Sequence, residues 1–140
     1  MFDAVAGTIT NAPSYDFHID NALRYKNLTP YNPYGPVDGK SQDYKLTMGN
    51  GYIGLPGGSN PPDRFVRVHQ FVTDTYPGDD GASTAWITWH LMNLFDIPPG
   101  LMRDVDATTK QETTEYTLWT SVADTANLVY MFRTFTDNAI

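Results

Sequence analysis

The chain has 140 residues, 41% of them hydrophobic, which is the length of one domain with material for a core. Its formal charge of −7 comes from scattered acidic residues and no basic stripe, which argues against a nucleic-acid partner. It contains no cysteine, excluding disulfides, thiolate metal sites and a thiol nucleophile of its own, and its three histidines form no zinc-binding pattern.

Val5 to Thr10 reads as a short strand running into Asn11, Ala12 and Pro13. Pro13 biases Ala12 toward extended backbone, and Ser14 is a good N-cap for a helix carrying Tyr15, Ile19, Ala22, Leu23 and Lys26 at helical spacing. Asp20 and Arg24 are spaced for an ion pair on the outside of that helix. Asn11 therefore falls where a strand ends and a helix begins, either facing a cleft or capping local backbone.

Thr29 to Gln42 is a proline- and glycine-rich loop, whose Tyr31 and Tyr34 cover a pocket mouth or hold the loop down. Tyr44, Leu46 and Met48 alternate with polar residues and predict a strand. From Gly54 to Arg67 a glycine- and proline-rich turn breaks into a helical pattern. Gly54, Gly57 and Gly58 permit positive φ or close backbone approach, and Pro56, Pro61 and Pro62 stiffen the turn. Val66, Val68, Phe71 and Val72 form the apolar stripe beside Phe65. Arg64 falls in the first turn, where a cation opposes the helix dipole and is poorly placed for helix stability, so it reads either as a site residue fixed by the rigid loop or as a surface arginine.

Pro77 to Gly81 is a turn, and Ser83 to Phe95 reads as a second helix, apolar nearly all round and so predicted to be buried on several sides. His90 on that helix reads as a buried or half-buried structural histidine, and Pro98-Pro99-Gly100 as the helix stop. The chain ends in a predicted hairpin, Tyr116 to Ala123 and Leu128 to Phe135, joined at Asp124 to Asn127. Large apolar residues on both faces of both strands predict coverage on both sides, hence an α/β (α+β) layered fold. No apolar run is long enough to span a membrane, and the first residues lack the pattern of a signal peptide; the compartment stays open.

Taken together, Thr10-Asn11-Ala12-Pro13-Ser14-Tyr15-Asp16-Phe17-His18, Asn27-Leu28, Gly54-Leu55-Pro56-Gly57, Arg64-Phe65-Val66-Arg67, Asp96-Ile97-Pro98-Pro99-Gly100 and Phe132-Arg133-Thr134-Phe135 resemble, in order, the C-terminal half of the choloylglycine hydrolases. That family contains bile salt hydrolases and penicillin V acylases. The resemblance covers essentially the whole chain. It implies the C-terminal part of an αββα N-terminal-nucleophile hydrolase domain over residues 1–140, cleaving linear amide C–N bonds of small-molecule substrates without cofactor or metal. In such enzymes an N-terminal cysteine attacks the amide carbonyl and its own α-amino group is the base.

By the same resemblance Asn11 and Arg64 match the family's active-site asparagine and arginine. Gly58 stands where many members have aspartate, and Asp63 where many have serine. Asp63 is then free to pair with Arg64 or to cap its helix. The nucleophile half is missing, so the chain alone is expected to be inactive and to need that half or a partner chain. The end at Ile140 comes earlier than in relatives, and a homo-oligomer is expected of the full-length enzymes. The competing expectation is a non-catalytic module that keeps an apolar acyl or steroid pocket.

Overall fold

The computed structural model describes residues 7–31 and 51–136. The predicted strand at Tyr44 to Met48, most of the Thr29 to Gln42 loop with Tyr34, and residues 5 and 6 of the first predicted strand lie outside them. The described elements belong to two compact units, Met1–Asp74 and Thr75–Ile140.

In the first unit, α1 spans Tyr15–Ala22, with Ser14 as N-cap accepting the Phe17 N–H at 3.3 Å. The helix tightens into a 3-10 turn at Leu23–Tyr25. That turn carries Arg24 off the α-helical register, and the expected Asp20–Arg24 ion pair does not form. The strand expected up to Thr10 is also corrected: residues 8–10 are irregular, and their anchoring comes from side chains instead of a sheet ladder. Helix α2 spans Pro61–Asp74. Prolines occupy its first positions, where an N–H has no intrahelical partner anyway, and the Asn60 carboxamide oxygen accepts the Asp63 N–H at 3.0 Å.

The buried centre of this unit is Phe65, Val66 and His18, where α1 crosses α2. His18 stacks flat on Phe65 at 4.7 Å between ring centres, and Tyr15 meets the same ring edge-on. Val72, assigned to the apolar stripe, is exposed. At the far end of α2, the Tyr52 hydroxyl donates to Asp74 at 2.7 Å, and burial together with this carboxylate holds its phenol above the ordinary range.

In the second unit, α3 spans Gly81–Asn93 and starts two residues earlier than expected, because the cap is Asp80. Ser83 closes a reciprocal capping box with it instead of beginning the helix. Strands β1 (Met102–Val105) and β2 (Glu112–Glu115) pair antiparallel, as do β3 (Trp119–Asp124) and β4 (Val129–Thr134). The second pair is the predicted hairpin, with Val122 opposite Met131. Asp124 closes it by accepting from the backbone N–H groups of Ala126 and Asn127, and Leu128 takes a positive φ of 55°.

The core here is Ala85, Trp89 and Val122, with Met131 against it, where α3 packs on β3. Arg133 lies over the Trp89 ring at 5.2 Å and pairs with Asp96 at 2.5 Å.

Two expectations about burial are corrected. Helix α3 is covered on one side: Trp86 is 53% exposed, and His90 is exposed. The hairpin is likewise covered on one face only. Tyr130 is 65% and Phe132 62% exposed, with Leu118 and Trp119 also bare. The apolar residues are there in number, but the described elements supply one layer to cover them. The β1–β2 hairpin was not anticipated, since Met-Arg-Asp-Val and Glu-Thr-Thr-Glu carry no apolar alternation.

Candidate active site

Asn11 and Arg64, 53 residues apart in sequence, meet: Arg64 Nη2 donates to Asn11 Oδ1 at 2.6 Å. Each comes from a piece of chain fixed from behind. Arg64 rides the first turn of α2, immediately before the fully buried Phe65. Asn11 follows Thr10, whose hydroxyl donates to the carbonyl of Pro61, the first residue of the same helix.

The contact decides how Asn11 is oriented. Guanidinium has only donors, so the carboxamide atom facing it must be the oxygen. The Nδ2 hydrogens therefore point elsewhere, with no acceptor among the described residues, and are available to an oxygen that gains negative charge. Arg64 Nε is buried without a hydrogen-bond partner, leaving a second donor of the same guanidinium uncommitted. The arrangement offers two polar N–H sources and a positive charge on the edge of an aromatic core.

The loop before α2 is locked in place by its neighbour Arg67. Its Nη1 donates to the carbonyls of Pro56 at 3.2 Å and Gly58 at 2.6 Å. Burial pulls the Arg67 guanidinium below its ordinary value, while Asp63 acts in the opposite sense and Arg64 adds to the lowering. Asp63 neither pairs with Arg64 nor caps the helix with its side chain; its carboxylate accepts the Gly58 N–H at 3.0 Å. A Cβ at Gly58 would come within 2.3 Å of that carboxylate oxygen, so a side chain there would displace the Asp63 carboxylate from this contact. Of the three glycines, Gly54 is the one with positive φ, at 90°, and Gly57 has open space where a Cβ would be. Arg67, Asp63 and Gly58 thus form a clamp that sequence reasoning missed. Its signal was the Asp63 and Arg67 spacing of one helical turn beneath a glycine.

His18 was also missed as part of this neighbourhood: its Nε2 lies 3.0 Å from the Thr10 hydroxyl. Among the described residues no three His, Asp or Glu side chains converge as metal ligands would, and no helix is long and apolar enough to cross a membrane.

Residues 1–140 match the family described as linear amide C-N hydrolases, choloylglycine hydrolase family. A bile salt hydrolase/transferase of Clostridium perfringens is 32% identical over 144 residues, covering all of this chain and 41% of the relative. A conjugated bile acid hydrolase of Lactobacillus acidophilus is 28% identical over 132 residues, covering 93% of this chain and 40% of the relative. The crystal structure of a mutant conjugated bile acid hydrolase from Clostridium perfringens superposes with a TM-score of 0.77 and 25% identity, over 99% of this chain and 40% of that one. The shared fold is the mixed helix-and-sheet one of N-terminal-nucleophile hydrolases. This chain spans about two-fifths of the length of these relatives and corresponds to their C-terminal part.

Proposed function

Because this chain belongs to the choloylglycine hydrolase family of linear amide C-N hydrolases, we propose that it is the C-terminal portion of an enzyme cleaving conjugated bile salt or penicillin V type amides. The attacking thiolate is that of an N-terminal cysteine outside these 140 residues, since the sequence itself contains none. The carrying observation is the 2.6 Å contact between Arg64 and Asn11. Arg64 supplies positive charge that favours a thiolate and steadies the charge developing in the tetrahedral intermediate. Asn11, its oxygen held by Arg64, turns its Nδ2 hydrogens to the carbonyl oxygen as it becomes an oxyanion.

The nucleophile half, as a separate chain or a preceding segment, is the partner this reading needs. The substrate in this reading is a small-molecule amide, and the full-length enzyme is expected to be a homo-oligomer. The test is amide hydrolysis by the chain alone and by the chain co-expressed with the N-terminal part of a Clostridium perfringens bile salt hydrolase. The reading expects no turnover from the chain alone and turnover from the pair. Hydrolysis by the chain alone at a rate near that of full-length relatives would overturn it. Ligand-induced stabilisation of the pair without any turnover would favour a binding module.

A further inference from the structure

We infer that His18 is a positioning residue that holds Asn11 against Arg64 through the hydroxyl of Thr10. The inference rests on the reading of Asn11 and Arg64 as the site's polar pair, and it adds a residue that touches neither.

The hydrogen-bond chain has one direction. A threonine hydroxyl carries a single proton, and Thr10 gives it to the Pro61 carbonyl at 3.3 Å. With the Pro61 carbonyl, which can only accept, taken as the target of that proton, we assign the hydrogen of the 3.0 Å contact to His18 Nε2. Nδ1 is left buried and unpartnered, which agrees with Nε2 being the working nitrogen of the ring.

Each link lies beside the pair it serves. Thr10 precedes Asn11, Pro61 begins the turn of helix that carries Arg64, and His18 is stacked on Phe65, the residue after Arg64. His18 is itself only 1% exposed and rooted in α1, so it offers the Thr10 hydroxyl a fixed donor. Asn11 is exposed and lies on irregular backbone, with no ladder or helix of its own to hold it. Without the His18 donor the Thr10 hydroxyl is free to rotate away from Pro61, and Asn11 loses its tether.

The test is phenylglyoxal labelling of the guanidinium groups, read residue by residue by peptide mass spectrometry on the 140-residue chain. His18→Phe keeps the stack and removes the N–H; Thr10→Val removes the hydroxyl at near-constant shape. Both are expected to label Arg64 several-fold faster, while Arg67 and Arg133, held by other partners, keep their rates. His18→Gln, which can present an N–H at about the Nε2 position, is expected to restore slow labelling. Asn11→Ala should match His18→Phe, and the double variant should add nothing further.

An unchanged Arg64 rate in Thr10→Val and His18→Phe overturns the inference. So does equal acceleration at Arg64, Arg67 and Arg133 in Thr10→Val, which would mark general loosening. Labelling needs no turnover, so this result and the catalytic reading fail separately. If Asn11→Ala leaves hydrolysis by the co-expressed pair intact, the catalytic reading falls while the labelling pattern stands.

Discussion

The two units solve the same problem with different materials. Around Arg64 the chain answers its own polar groups: Arg67 grips two loop carbonyls, Asp63 holds the Gly58 N–H, and Thr10 reaches Pro61. Around Trp89 the organising contacts are apolar, and the β3–β4 hairpin carries more apolar surface than α3 covers. A site needs directional contacts to place donors within tenths of an ångström, and hydrogen bonds supply direction where hydrophobic contact does not. The bare hairpin face is an apolar patch of the kind that calls for a partner layer. A chain matching about two-fifths of its relatives has much of the relatives' fold left to supply one.

Several substitutions would break or sharpen this contrast. The largest effects are expected at the two aromatic centres. Phe65→Ala and Trp89→Ala should each cost about 3–5 kcal/mol, read as a shift of the urea midpoint, because both side chains are buried and tightly surrounded. A loss under about 1 kcal/mol at Phe65 would mean that polar ties alone hold the first unit. Next come the charged ties. Asp96→Ala should cost about 1.5–3 kcal/mol by stranding Arg133 over the Trp89 ring, and Asp63→Ala a similar amount by freeing the loop N–H. Equality between them would show that directional ties matter in both units.

The bare face should behave differently. Tyr130→Thr and Phe132→Thr, both mostly exposed, are expected to shift the midpoint of the isolated chain by no more than about 0.5 kcal/mol and to lower its binding of a hydrophobic dye. A large destabilisation would mean the face is already covered in solution. The smallest effect is the response to acid. Asp80 and Asp124 are held below their ordinary carboxylate value of 3.8 by hydrogen bonds, from Ser83 to the first and from Asn127 to the second. Depressed values in the folded chain mean that their contribution is present above 3.8 and fades as pH falls below it through the lowered values. Circular dichroism across that window should show the α3 signal decline in the wild type and little further change in Asp80→Ala.

Local chemistry was the legible part of the sequence. Ser14 announced α1, and the Thr, Val and aromatic content of the last segment announced β3–β4, since caps and β-propensity act over a few residues. Arg64 stood out because its charge is wrong for its place in a helix. What stayed hidden depends on neighbours far away in sequence. A polar hairpin such as β1–β2 has no burial pattern, and its clearest sign was Asp106 gathering the Thr108 and Thr109 N–H groups in the turn. Coverage of α3 and the hairpin was misjudged because an apolar residue states a need for burial, not whether its own chain meets it. His18 read as one histidine among three, because its partner Thr10 lies before the helix it caps nothing in.

The central claim is that Asn11 and Arg64 work as one unit. A double-mutant cycle on amide hydrolysis by the co-expressed pair tests it most directly. Asn11→Ala and Arg64→Ala should each lower the rate by about 10²–10³-fold, and the double variant should fall little below the weaker single one. Losses that multiply in the double variant, or single variants that keep their full rate, would contradict it.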